Sequence, residues 1–366
     1  MTKIKFGTDG WRAIIAQDFT VDNVARVTEA TSRWLLKNFT APSVVVGHDC
    51  RFAGELFAET TTKVFIAHGI KVYLAKGFVS TPMISLGAVR LKTSLGIIIT
   101  ASHNPPSYNG YKIKGHYGGP LAPEHVQEIE DIIPPAAITS WQTIDLKEAA
   151  DRGLLLDAPL EDMYIKHVEQ SFDLDAIKNS NLVLAYDAMF GAGQRVMQRL
   201  FPDILKLHCD YNPGFHGQAP EPIHKNLIEF SNFIKSKGNI SCGLATDGDA
   251  DRIGLYDGAG NFVDSHHIIL LLIHYLVKYK KMGGKVATAF STTVKIKNMC
   301  EHYGLPLDVV KIGFKYICSI MVKEDVLLGG EESGGIAIKG HIPERDGIWM
   351  GITIWEFMAK TGKTLN

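Results

Sequence analysis

The chain is poor in every feature that would place it at a membrane, outside the cell or on nucleic acid. It has five cysteines, Cys50, Cys209, Cys242, Cys300 and Cys318, widely separated and without a C-x-x-C pair. An odd, scattered set argues against a disulfide framework and against structural zinc, and reads as buried thiols in a reducing compartment. Met1 to Gly7 lacks the apolar segment of a signal peptide, and the longest apolar run, Ile268 to Val277, contains His274 and is too short to cross a bilayer. The sequon Asn38-Phe39-Thr40 therefore reads as chance. There is no excess of either charge: 38 basic against 39 acidic residues give a formal charge of -1, so no global field favours nucleic acid or an anionic membrane. Low-complexity segments are absent. The expectation is a cytoplasmic monomer or homodimer with no nucleic-acid or membrane partner, which must hold any anionic ligand by local groups.

What is present is a repeated α/β grammar. Apolar, β-branched runs alternate with helix-period segments, as in Val44-Val45-Val46, Ala53 to His68, Lys71 to Leu74, Pro82 to Arg90 and Leu95 to Ile99, a pattern of parallel strands covered by helices. The same order recurs from about Leu160 and again from about Val263. No fixed short period accompanies it. The predicted fold class is α/β, with three similar domains, each a mostly parallel mixed sheet sandwiched by helices, around a central cleft. The expected boundaries are 1–150, 151–262 and 263–366. Pro213 to Pro222 reads as an ordered connecting loop.

Three polar segments follow apolar runs. In Thr100-Ala101-Ser102-His103-Asn104-Pro105, Ser102 is a hydroxyl nucleophile where a buried strand breaks into a loop. His103 beside it suggests a hydrolase pair, but adjacent residues at such a junction usually point apart and no G-x-S-x-G elbow surrounds the serine. Asp247-Gly248-Asp249-Ala250-Asp251-Arg252 spaces carboxylates at i, i+2 and i+4, which in an extended backbone point to one side and could share one hard cation. An EF-hand would need Gly sixth and Glu twelfth, where this chain has Arg252 and Gly258. Magnesium, which takes few protein carboxylates and completes its shell with phosphate oxygens or water, fits better. Gly329-Gly330-Glu331-Glu332-Ser333-Gly334-Gly335 offers acceptors suited to sugar hydroxyls, or is a plain glycine turn. Tyr108 to Lys112 reads as a loop that folds a lysine back on Ser102. In Phe6-Gly7-Thr8-Asp9-Gly10-Trp11-Arg12, Arg12 is suited to clamping a phosphate or to a surface role. Gly362-Lys363-Thr364 lacks the earlier glycine of a phosphate-binding loop.

Together and in this order, F-G-T-D-G-W-R, T-A-S-H-N-P, D-G-D-A-D-R and G-E-E-S-G resemble the signatures of the α-D-phosphohexomutase superfamily, the phosphoglucomutases and phosphomannomutases, over essentially the whole chain. The resemblance implies that Ser102 is a phosphoserine and that Asp247, Asp249 and Asp251, with Ser102, hold Mg²⁺. It implies that Arg12, His103, Lys112 and Arg252 surround the transferring group, with Lys112 as general acid/base, and that Glu331, Ser333 and Lys311 bind the sugar phosphate. The implied reaction interconverts hexose 1-phosphate and hexose 6-phosphate, of glucose or mannose, with glucose 1,6-bisphosphate or mannose 1,6-bisphosphate as activator and intermediate. Phosphoglucosamine mutase, a metal-dependent sugar phosphatase and an inactive sugar-phosphate-binding protein are the alternatives. The family's fourth, phosphate-anchoring domain has no counterpart before Thr364-Leu365-Asn366, so the expectation is three domains in this chain, either because the sequence is cut short of the fourth or because the protein works without that anchor, with a weakened hold on the substrate's far phosphate where it is missing.

Overall fold

Runs such as Val44-Val45-Val46 and Ile97-Ile98-Ile99 have no polar side and become strands buried on both faces. The computed structural model describes residues 3–365, so Met1, Thr2 and Asn366 lie outside the described residues. The first unit contains β1 (Trp11–Ile14), α1 (Val21–Asn38), β2 (Ser43–His48), α2 (Gly54–Ala67), β3 (Lys71–Ala75), α3 (Thr81–Arg90), β4 (Leu95–Ile99), β5 (Tyr108–Gly115), α4 (Pro123–Asp131), α5 (Leu146–Asp151) and β6 (Leu155–Ala158). Its sheet runs β1-β5-β4-β2-β3-β6. Strands β4, β2, β3 and β6 are parallel, and β5 and β1 are added antiparallel. Strand β6 pairs with β3, so the first sheet takes its last strand from beyond residue 150.

The second unit holds α6 (Leu160–Ser171), α7 (Leu174–Lys178), β7 (Leu184–Asp187), α8 (Gln194–Leu200), β8 (Leu205–Leu207), α9 (Ile228–Lys237), β9 (Cys242–Thr246), β10 (Ile253–Asp257) and β11 (Phe262–Val263). Its sheet order is β11-β10-β9-β7-β8, with β9, β7 and β8 parallel and β10 and β11 antiparallel. The third unit holds α10 (Ser265–His274), β12 (Lys285–Ala289), α11 (Lys295–Tyr303), β13 (Leu307–Val310), α12 (Phe314–Met321), β14 (Val326–Gly330), β15 (Ile336–Ile338) and α13 (Gly347–Thr361). Its order is β13-β12-β14-β15, parallel except for β15. The three sheets thus share one design, parallel strands followed by an antiparallel edge.

Helix ends follow local chemistry. Thr20, Ser80, Asp264 and Asp346 accept from first-turn amides that have no partner within α1, α3, α10 and α13, and Gly238, Gly304 and Gly362 close α9, α11 and α13 in the left-handed region. One apolar core runs from Val45 and Ile84 through Leu160, Tyr186 and Leu244 to Ile269 and Trp355, and so joins all three units. Helix α13 is the main tie: it packs on β9, β10 and α7 of the second unit. Its first residue must be glycine, because a Cβ at Gly347 would stand 2.2 Å from the Arg252 carbonyl oxygen. All five thiols are free, four of them buried, and among the described residues no helix is long and apolar enough to cross a membrane.

Candidate functional site

The three polar segments occupy equivalent positions. Each is the loop between the last parallel strand of a sheet and its antiparallel neighbour: β4 to β5, β9 to β10 and β14 to β15. The carboxyl ends of parallel strands are where open α/β sheets place ligands.

In the first loop the Ser102 amide donates to Thr100 Oγ1 at 2.9 Å, and Asn104 N–H donates to the Ala101 carbonyl at 3.0 Å. This turn puts Ser102 at φ +53°, a strained region for a residue with a side chain. The buried Ser102 hydroxyl donates to Asp247 Oδ2 at 2.7 Å and lies 3.3 Å from His103 Nδ1. The neighbouring histidine therefore does not point away, as a strand-to-loop junction suggests; the left-handed turn folds it toward the serine. Burial, reinforced by Arg252 and Arg12, lowers the His103 pKa to about 2 and keeps its ring neutral.

The second loop is a turn and not the extended segment that the spacing suggests. Ala250 sits at φ +57°, with its N–H donating to the Asp247 carbonyl at 3.0 Å, and the turn still brings oxygens of buried Asp247, Asp249 and Asp251 within 4.8 Å of one another. Asp247 Oδ1 accepts from the Arg252 amide at 3.0 Å. Asp249 Oδ2 accepts from Lys112 Nζ at 2.7 Å and from the Thr81 hydroxyl at 2.5 Å. Asp251 Oδ2 accepts from Lys112 at 3.0 Å and pairs with Arg345 at 2.7 Å. The other oxygens, Asp249 Oδ1 and Asp251 Oδ1, are buried without a hydrogen-bond partner, an unfavourable state for carboxylate oxygens. Burial and the two neighbouring aspartates raise the Asp247 pKa well above the carboxylate range.

Lys112 lies on strand β5 and not in a loop. It is fully buried and also pairs with Asp9 at 2.9 Å. Burial alone would lower its pKa, but Asp249, Asp251 and Asp9 outweigh it and raise the pKa. Burial also pushes Asp9 upward, yet Lys112, Lys114 and Arg345 hold that carboxyl well below its ordinary value. Lys114 pairs with Glu344 at 2.7 Å, and Arg345 with Asp9. The ion-pair network thus sets the carboxylates of Asp9, Asp249, Asp251 and Glu344 against the cations of Lys112, Lys114 and Arg345, with Asp247 beside it. Two unpartnered oxygens on hard donors, beside an Asp247 whose charge is held off by its neighbours, fit a divalent cation such as Mg²⁺.

In the third loop, buried Glu331 accepts the Gly313 amide on Oε1 at 2.7 Å, and burial raises its pKa. The loop is tied to the aspartate loop by Ile253 N–H donating to the Gly334 carbonyl at 3.1 Å. Glu332 accepts from the Ser291 hydroxyl, and Ser333 is half-buried in the same turn.

The remaining predicted residues are spread around these loops. Arg12 on β1 donates to Asn104 Oδ1 at 2.7 Å. Arg252 lies 3.7 Å from Glu221. Lys311 is exposed, its Nζ 5.4 Å over the Tyr316 ring, outside the buried network. Residues that sequence reasoning missed are Asp9, Thr81, Lys114, Glu344, Arg345 and Arg51. Asp9 stood inside a segment already singled out; the others carry no local motif.

Family models cover the chain in three consecutive parts. Domain I of phosphoglucomutase/phosphomannomutase matches residues 3–137, domain II 162–260 and domain III 264–366. The chain is 30% identical over 374 residues to the phosphoglucosamine mutase of Limosilactobacillus reuteri, covering 98% of this chain and 79% of that protein. It is 27% identical over 365 residues to the phosphoglucomutase/phosphomannomutase of Thermococcus kodakarensis, covering 98% and 78%. A solved structure from Thermus thermophilus, provisionally named a phosphomannomutase, superposes with a TM-score of 0.90 at 35% identity, over 100% of this chain and 82% of that one.

Proposed function

The chain belongs to the phosphoglucomutase/phosphomannomutase family, and from that premise we propose that it interconverts hexose 1-phosphate and hexose 6-phosphate through a phosphorylated Ser102. The observation that carries the reading is the 2.7 Å contact between Ser102 Oγ and Asp247, a member of the convergent aspartate triad. It joins a nucleophile from one domain to a cation site from the next.

In this reading phospho-Ser102 gives its phosphoryl group to the free hydroxyl of a glucose or mannose 1-phosphate. The serine O–P bond breaks and a sugar O–P bond forms, while Lys112 gives a proton to the leaving Ser102 Oγ and recovers one from the sugar hydroxyl. The resulting 1,6-bisphosphate turns over within the cleft and returns its other phosphoryl group to Ser102, leaving hexose 6-phosphate. Arg12, Arg252 and Lys112 supply positive charge toward the transferring group. Lys112 is the proposed proton carrier; held charged by its carboxylate partners, it starts as the acid. His103, kept neutral, offers a hydrogen bond and no charge. Glu331 and Ser333 are assigned to sugar hydroxyls, and Lys311 to the substrate from the rim. Asp247, Asp249 and Asp251 beside Ser102 would hold Mg²⁺, which when bound neutralises charge on a phosphoryl oxygen.

The names of similar proteins favour a second reading, glucosamine phosphate as substrate. Glu332, where phosphoglucosamine mutases usually read differently, supports glucose and mannose. Rates with glucose, mannose and glucosamine 1-phosphates separate the two. The test of the chemistry is intact mass after incubation with glucose 1,6-bisphosphate and Mg²⁺. One phosphoryl adduct is expected on the native chain and none on Ser102→Ala; substantial mutase turnover by Ser102→Ala would refute the assignment.

A further inference from the structure

The carbonyl groups of the Ser102 loop converge on one buried cation that neither the motifs nor the reaction reading assigns. Arg51 follows β2, and its side chain is fully buried. One guanidinium nitrogen, Nη2, donates to the carbonyls of Ser102 and Asn104, both at 2.6 Å. The other, Nη1, donates to the carbonyls of Pro105 and Tyr108 at 2.9 and 3.0 Å. A single planar group therefore gathers four carbonyls from the whole span between β4 and β5.

The group is itself fixed by Asp49 and Phe215. Asp49 accepts the Arg51 amide at 2.9 Å and approaches Nε at 3.4 Å. Asp49 also accepts the Thr100 hydroxyl at 2.5 Å, and Thr100 in turn receives the Ser102 amide. The Phe215 ring of the second domain lies 5.0 Å from the guanidinium carbon. Ser102 needs such support because φ +53° is strained for serine. We infer that Arg51 is a positioning residue for phosphoryl transfer, holding the Ser102 loop in the left-handed turn that aims Oγ at Asp247. This rests on the reading of Ser102 as the nucleophile. Lysine keeps the charge but, as a point donor without the planar fork, cannot reproduce paired bonds to four carbonyls.

The test compares native protein with Arg51→Lys and Arg51→Ala by two independent readouts. The first is phosphoryl uptake from glucose 1,6-bisphosphate, read by intact mass, with kcat and KM for glucose 1-phosphate. Arg51→Lys should lose about 10- to 100-fold in uptake rate and kcat while KM stays within about twofold, the signature of a misplaced reacting group. In Arg51→Ala, millimolar guanidinium should restore uptake saturably and urea should not. The second readout, hydrogen exchange of the amides of Ser102, His103, Asn104, Ser107 and Tyr108, needs no activity: exchange should be at least about tenfold faster in Arg51→Lys, with the second and third sheets unchanged. Native uptake and native exchange in Arg51→Lys would overturn the inference, as would faster exchange spread evenly over the whole first domain. Native protein that takes no phosphoryl group would overturn the reading of Ser102 instead, and the exchange result would still decide whether Arg51 holds the loop.

Discussion

Magnesium should stabilise this protein, and the size of the effect follows from the aspartate cluster. Carboxylate oxygens within 4.8 Å of each other repel by at least about 3 kcal/mol per ionised pair at an effective dielectric of about 20. Lys112 relieves Asp249 and Asp251 through their Oδ2 atoms only, leaving both Oδ1 atoms buried and bare. A cation taking those free oxygens need not displace the lysine. At a concentration about 100 times its dissociation constant, a cation bound only to the native state adds about 2.7 kcal/mol. With an unfolding entropy of about 2.1 cal/mol/K per residue, the 366 residues give about 0.77 kcal/mol/K if the chain unfolds as one unit, so Tm should rise by about 3–4 °C. Differential scanning calorimetry in MgCl₂ against NaCl of equal ionic strength measures it, with Asp251→Asn as the control, since its amide keeps the shape and lacks the charge. No rise in the native protein, or an equal rise in Asp251→Asn, would refute the assignment of the cation to these oxygens.

Three further outcomes are expected. Arg345→Ala should cost about 3–5 kcal/mol in a urea unfolding curve, because it leaves Asp9, Asp251 and Glu344 short of a buried cation; a loss below about 1 kcal/mol would show that water screens the network. His103 should show flat imidazole NMR shifts from about pH 8 to 4. Its folded pKa of about 2 lies below the ordinary 6.5, so the native state refuses a proton that the unfolded chain accepts, and its contribution to stability, complete above pH 6.5, is lost progressively below it. A titration midpoint near the ordinary value would contradict the buried, cation-flanked environment. Gly110→Ala should cost about 1–3 kcal/mol and slow phosphoryl uptake by Ser102, because the added Cβ would stand 2.5 Å from the Thr100 carbonyl and 2.8 Å from that of Trp11; a neutral Tm with a native uptake rate would mean that the sheet yields there freely.

Gly110 also explains where sequence reasoning fell short. Tyr108 to Lys112 reads as a loop in the sequence, and Asn109-Gly110 is there a strong turn signal. The glycine is required by close approach of β1 and β4 on either side of β5, not by a reversal of the chain, and Lys112 reaches the aspartates from a rigid strand. The three site loops were legible because each joins a polar cluster to an apolar run, and covalent spacing alone nearly brings the aspartates together. The buried cations were not. Arg345 and Asp9 are 336 positions apart, Arg51 meets its carbonyls across 51 to 57 positions, and a lone arginine in sequence is most often a solvated one. What draws these residues into one network is the stacking of three domains, which buries Asp247, Asp249, Asp251 and Glu344 together and calls for compensating cations or protons. A carboxylate cluster following an apolar run is therefore also a statement about residues not yet located. If it is buried, cations must reach it from elsewhere in the chain, and any shortfall in their number is filled by protons or by metal.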